Sequence, residues 1–153
     1  MYSIFKNNPN ISRLLLFYFF SIISIVIFEA LTLLYKFDNG FQEFTENLFE
    51  KFIIIVVIAP LIETLIFNYF LQKVLSKFIK NTFYLIFISS LIFAFAHCHS
   101  IIYIFFGFFG GLILNLFYFL NKKDRSIKYA FWMTFLLHAL VNLTSFIFSE
   151  FVK

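Results

Sequence analysis

Polar and charged residues in this chain gather in short clusters, and the stretches between them are almost wholly apolar. Five such stretches stand out, at about residues 12–35, 52–72, 82–98, 100–120 and 129–150. About 20 apolar residues in a helix cover a hydrocarbon core of about 30 Å. The pattern therefore predicts an all-α fold, a polytopic transmembrane helix bundle of about five spans. Lys6 and Arg13 lie before and at the start of the first stretch in the manner of a leader peptide, but its apolar run continues from Leu14 past Ile27 without an A-x-A-like site, so it is read as a retained span. No internal repeat, linker or low-complexity tract divides the chain, which predicts one membrane domain overall.

Composition strengthens this picture. With 62% hydrophobic and 13% charged residues and a mean hydropathy of +0.93, a chain of this length has more apolar surface than one soluble core can hide. A single cysteine, Cys98, excludes an internal disulfide framework. The net charge of +4 forms no basic stripe among exposed aromatics, so nucleic acid is not an expected partner and the lipid bilayer is. The break at 36–51 is acidic, with Asp38, Glu43, Glu46 and Glu50, and reads as an acidic loop or a short surface helix. Two other breaks are basic. Together with Lys6 and Arg13 they hold Lys73, Lys77, Lys80, Lys122, Lys123, Arg125 and Lys128, against Lys36, Lys51 and Lys153 on the opposite side. The excess of Lys and Arg marks the cytoplasmic side, which predicts a cytoplasmic N-terminus and an outer C-terminus.

Against this apolar background Glu63, His97, His138 and Asn142 stand out, each inside a predicted span. A charged group at the helix centre costs about 2.5–3.5 kcal/mol on insertion scales, so residues of this kind are uncommon there without a task. Pro60 removes a backbone donor three residues before Glu63 and predicts a kink that opens room beside it. His138 and Asn142 are one turn apart on one helix face, both able to donate into one cavity. A carboxylate, two imidazoles and an amide in a low-dielectric cavity suit hydrolysis. The same residues also suit a neutral buried acid with helix–helix hydrogen bonds, or a small proton-linked transporter. Gly107 and Gly111 stand in G-x-x-x-G register and predict a close helix contact, with Asn115 adding an interhelical hydrogen bond. Cys98 is assigned to packing, and His99, Tyr103, Tyr118, Tyr129 and Trp132 to interfacial positions.

Taken in order, these segments resemble the CPBP family of intramembrane proteases, which includes type II CAAX prenyl proteases and the bacteriocin-processing and self-immunity (Abi) proteins. The family pattern is E-E-x-x-x-R, then F-x-x-x-H, then H-x-x-x-N. Here Glu63 with Phe67, then Phe93 with His97, then His138 with Asn142 follow that order over about residues 52–146. The resemblance implies an N-terminal transmembrane helix and acidic loop over 1–51 and a four-helix catalytic core over 52–153. It also implies a multi-pass protein of a bacterial cell membrane that cuts a peptide or protein substrate entering from the membrane. Glu63 would be the general base that activates water, His97 would orient that water, and His138 and Asn142 would hold the oxyanion. No cofactor is required by this scheme. Zinc is the alternative, with Glu63, His97 and His138 as its three ligands. The chain departs from the pattern twice: Thr64 replaces the second glutamate and Asn68 the arginine. These two lie at i, i+4, where the lost charges could have paired and where a neutral hydrogen bond can form instead. The departure keeps a second reading open, a catalytically weakened relative that acts as a bacteriocin-immunity or regulatory binding protein.

Overall fold

The computed structural model describes residues 9–35, 47–97 and 100–151, and among these every element is helical. Most of the acidic break, at 36–46, lies outside the described residues, as do Cys98 and His99. We number the helices α1 (Pro9–Tyr35), α2 (Leu48–Leu75), α3 (Thr82–Phe95), α4 (Ile101–Asp124) and α5 (Ile127–Phe151). Their starts are set by short polar side chains that accept from otherwise unpaired N–H groups. Asn47 takes Phe49 N at 2.9 Å, Asn81 takes Phe83 N at 2.9 Å, Ser100 takes Tyr103 N at 3.1 Å and Ser126 takes Tyr129 N at 3.1 Å.

Helices α1, α2, α4 and α5 are each long and apolar enough to cross a membrane. Large apolar side chains cover their outer faces, among them Leu16, Phe19, Ile62, Phe70, Phe105 and Leu136. In water such a surface would be costly, whereas against lipid it is the expected one. The centre is closed by Phe93, Leu114, Phe117 and Leu137, with Phe17 of α1 packed on Phe117 at 5.1 Å between ring centroids. At one end of α1, Arg13 pairs with Asp124 of α4, and midway along it the Tyr18 hydroxyl meets Thr144 Oγ1 of α5 at 2.7 Å.

Two features of the helices differ from the sequence expectation. The third apolar run ends as a helix at Phe95, not near residue 98. His97 itself stops it: its ring Nδ1 lies 2.8 Å from the Phe93 carbonyl, the acceptor its own backbone N–H would use in a continuing helix, while that N–H turns to Ala94 O. At 14 residues α3 rises about 21 Å, less than a hydrocarbon core. The second difference is in α2. Pro60 is absorbed by a π-helical turn at Ile53–Ile58, followed by a short α stretch, Ala59–Glu63, and a second π segment, Thr64–Leu71. Ala59 N–H bonds five residues back to Ile54 O. The next donor in that register would be residue 60, and proline has none. The carbonyl of Ile55 is thereby released from the helix ladder.

The close contact expected of the glycines is present between α3 and α4. A Cβ on Gly107 would stand 3.2 Å from Ala94 Cα, and one on Gly111 would stand 3.2 Å from Ser90 Cα. Tyr118 is a correction: far from anchoring at an interface, it is buried on the α4 face that also carries Gly111, Leu114 and Asn115, positions spaced at three and four residues. Trp132, by contrast, is exposed on the outer side of α5.

Candidate active site

Three helices bring their ionisable groups to one point. Glu63 leaves the α stretch between the two π segments of α2, His97 follows the last turn of α3, and His138 lies midway along α5. Glu63 Oε2 is 3.6 Å from His97 Nε2 and 3.5 Å from His138 Nε2. Both separations exceed a direct hydrogen bond. The chemistry of the contact follows from the other ring nitrogen. Phe93 O can only accept, so Nδ1 of His97 carries the hydrogen there and Nε2 faces the carboxylate. A neutral ring in that tautomer presents a lone pair to Glu63, and the contact is attractive only with a proton or the O–H of a water within it. His138 is buried, and its Nδ1 has no hydrogen-bond partner among the described residues.

Aromatic rings hold the imidazoles in place. Phe93 lies 4.5 Å from the His97 ring and 6.1 Å from the His138 ring, and Phe67 meets Phe93 edge-on at 5.2 Å. The two phenylalanines of the motif thus form one wall behind both histidines. In front of them lies a cavity of about 170 Å³, lined by His97, His138, Asn142 and Phe93 together with residues of α1 and α4. Asn142 reaches this cavity but also has a second attachment: its Nδ2 donates to Ile55 O at 2.9 Å, the carbonyl released by Pro60. Sequence reasoning missed that bond, and it missed Tyr103. Tyr103 lines the same cavity, with its ring 6.1 Å from His97 and 5.8 Å from Phe28 of α1. Its place one turn into α4, just after the polar turn that holds His97, was the available signal.

Thr64 and Asn68 do not join the group and do not bond to each other. Asn68 turns across to α4, where its Nδ2 donates to Asn115 Oδ1 at 3.0 Å, and Thr64 Oγ1 has no partner among the described residues. The expected hydrogen bond between them is replaced because a better acceptor stands opposite. Gln72 Nε2 donates to the same Asn115 Oδ1 at 2.8 Å and to Asn115 O at 3.1 Å, and Asn115 Nδ2 donates to Ser90 Oγ at 3.2 Å. All four side chains are fully buried. The interhelical bond expected of Asn115 is therefore one part of a neutral cluster joining α2, α3 and α4.

Among the described residues no group of three or more His, Cys, Asp or Glu side chains has the arrangement to hold a metal ion. The sequence profile of the family described as Type II CAAX prenyl endopeptidase Rce1-like matches residues 45–144. No curated protein and no solved structure gives a significant match. The profile takes in α2, α3, α4 and most of α5, and with them the carboxylate, both imidazoles and Asn142; a match over well more than half of the chain means that it belongs to the Rce1-like type II CAAX endopeptidase family of intramembrane proteases.

Proposed function

We propose that the chain cleaves a peptide bond of a substrate that reaches the cavity from the membrane, with Glu63 as general base. The observation that carries this reading is the meeting of Glu63 Oε2 with the Nε2 atoms of His97 and His138 at 3.6 and 3.5 Å beside a cavity. A water can stand at the apex of a triangle on the Glu63–His97 edge. Glu63 takes its proton, the oxygen adds to the scissile carbonyl carbon, and negative charge passes to the carbonyl oxygen. His138, with the second N–H of the Asn142 amide, is the donor set for that oxygen. When the tetrahedral carbon collapses, the C–N bond breaks and the proton on Glu63 passes to the leaving amine. The scheme runs without a metal. For zinc to bind, Glu63, His97 and His138 would have to move from the arrangement they hold, and the ion's contribution would then be to polarise water and carbonyl. In this reading α2 to α5 form the catalytic unit over 52–153, and the helix and acidic loop of 1–51 are an addition to it. The N-terminus is cytoplasmic, so a cysteine placed at Lys77 in a Cys98→Ala background is labelled from the inside and one at Glu43 from the outside.

The experiment is cleavage of membrane-embedded peptides by the full chain in liposomes, compared between wild type and Glu63→Gln. Loss of cleavage with retained folding supports the base assignment. Full cleavage by Glu63→Gln overturns it. A second reading has its own support in the neutral residues that stand where the family has Glu and Arg, Thr64 and the clustered Asn68: a relative that binds a toxin or sensor without cutting it. In that case Glu63→Gln leaves every biological readout unchanged, immunity included.

A further inference from the structure

The two imidazoles at Glu63 are held differently. His97 Nδ1 meets Phe93 O, a carbonyl four residues back on its own helix, so that nitrogen carries the hydrogen and Nε2 turns a lone pair to the carboxylate. His138 Nδ1 is buried and meets no acceptor among the described residues. Its Nε2 stands 3.5 Å from Glu63 Oε2. A carboxylate and an oxyanion both call for a hydrogen on that Nε2, which leaves Nδ1 as an acceptor in need of a donor. The buried side-chain atoms that lack a partner among the described residues offer few choices. Asn68 Oδ1 and Gln72 Oε1 can only accept, while the hydroxyls of Thr64, Ser89 and Thr134 can donate. Thr64 adjoins Glu63, and adjacent helical residues point to different faces; its own face is that of Asn68, which turns to α4. Ser89 lies about two turns before His97 on α3. Thr134 is one turn before His138 on the same face of α5, and a long helical side chain leans back over the residues three and four before it. Both residues are buried. Thr134 is also unlike other helical hydroxyls of this chain: Thr32, Ser90 and Thr144 donate to carbonyls three or four residues back at 2.9, 2.8 and 3.0 Å, and Thr134 does not. Its hydroxyl is not taken up by its own helix ladder.

We infer that Thr134 is a positioning residue for His138: its hydroxyl donates to His138 Nδ1 across one turn of α5 and so keeps the ring's hydrogen on Nε2, where the carboxylate and then the oxyanion use it. The two histidines thereby face Glu63 in opposite forms, His97 with a lone pair and His138 with an N–H. Two buried groups that would each cost stability alone satisfy one another. The role in turnover rests on the endopeptidase reading; the hydrogen bond and the ring form do not.

The test compares the full-length wild type with Thr134→Val, which keeps the shape and removes the hydroxyl, and Thr134→Ser, which keeps the hydroxyl. Thr134→Ala takes the place of the valine variant should that one not fold. The ¹⁵N spectrum of histidine-labelled protein in detergent, at about pH 8 where an unshifted imidazole is neutral, reports which ring nitrogen carries the hydrogen, and His138→Gln identifies the signal. Wild type and Thr134→Ser are expected to show His138 with its hydrogen on Nε2, and Thr134→Val to admit the Nδ1–H form. The thermal midpoint of Thr134→Val should not rise, whereas removing a hydroxyl that truly lacked a partner would raise it. Cleavage of a membrane-embedded peptide should show kcat lowered about tenfold by Thr134→Val with KM unchanged, less than the full loss of an oxyanion donor because part of the population keeps the right form, and Thr134→Ser should restore it. A hydrogen on Nδ1 of wild-type His138 overturns the inference. So does a valine variant with a raised midpoint and an unchanged spectrum, or a fall in kcat without a change in the spectrum. The expected spectra and midpoint with no cleavage by wild type keep the hydrogen bond and remove the endopeptidase reading. Cleavage that Thr134→Val leaves unchanged removes the positioning role and leaves the endopeptidase reading standing.

Discussion

Helix α2 carries two polar centres within a few turns, and they are built in opposite ways. Around Glu63 the groups are ionisable: two imidazoles stand 3.5–3.6 Å from its carboxylate, and both border a cavity. Around Asn68 and Gln72 they are amides and hydroxyls, bonded at 2.8–3.2 Å and fully enclosed by α3 and α4. A neutral amide can be sealed inside a bundle if a partner is supplied, whereas a carboxylate needs a partner and access to water. The closed centre fixes three helices against one another. The open centre keeps its groups just beyond bonding distance, where a proton or a water can move among them.

Exchanging the character of the two centres tests whether each needs the groups it has. The largest effect is expected from Glu63→Gln, which keeps shape and removes the proton acceptor: turnover should fall by about 10²–10⁴-fold with the thermal midpoint in detergent little changed. A large loss of stability instead would make Glu63 structural. Next comes Asn68→Arg, which puts a charge into the closed centre and should lower unfolding free energy by about 3–5 kcal/mol, with much of the loss returned by adding Thr64→Glu. If the double variant is no better than the single, the site no longer accommodates the pair its family carries. Asn115→Ala leaves the Asn68 and Gln72 donors without their shared acceptor and Ser90 Oγ without the donor it accepts from, and should cost about 1–3 kcal/mol, while turnover of the folded fraction is unaffected. A matching fall in turnover would couple the two centres.

The smallest effect reads the bond between α5 and α2. Asn142→Ala should cost about 1 kcal/mol by leaving the Ile55 carbonyl unpaired, and less in a Pro60→Ala background that restores a backbone donor. Equal costs in both backgrounds would show that the Asn142 amide does not serve that carbonyl.

Glu63, His97, His138 and Asn142 were legible because an ionisable or amide group stands out against an apolar run, and their order along the chain carried the family resemblance. What hydropathy could not show was which partner each group would choose. Asn68 bonds to Asn115 and not to Thr64 because the opposing helix brings an acceptor close, a tertiary fact without a local signature. Asn142 bonds to Ile55 O because of the π turn ahead of Pro60, and apolar residues such as those at 53–58 look alike in an α or a π register. Tyr118 was misplaced since aromatic enrichment at membrane interfaces describes populations, and the face on which a residue lies decides the individual case. The boundary at Phe95 escaped because His97, read as a chemical group, is also the cap of its own helix.

That early stop has a consequence for the lipid around the protein. Helix α3 is about 9 Å shorter than the hydrocarbon thickness it faces, taking about 1.5 Å per residue and a core of about 30 Å. Hydrophobic mismatch of this kind is relieved by local thinning of the bilayer or by polar groups reaching toward the headgroups, at a fraction of a kcal/mol per Å. Thinning over the end of α3 that holds His97 would bring water closest to the imidazoles, which is where the proposed hydrolysis uses it. Short-chain lipids would relieve that mismatch and long-chain lipids would increase it, so turnover compared between the two reads whether bilayer thickness reaches the site.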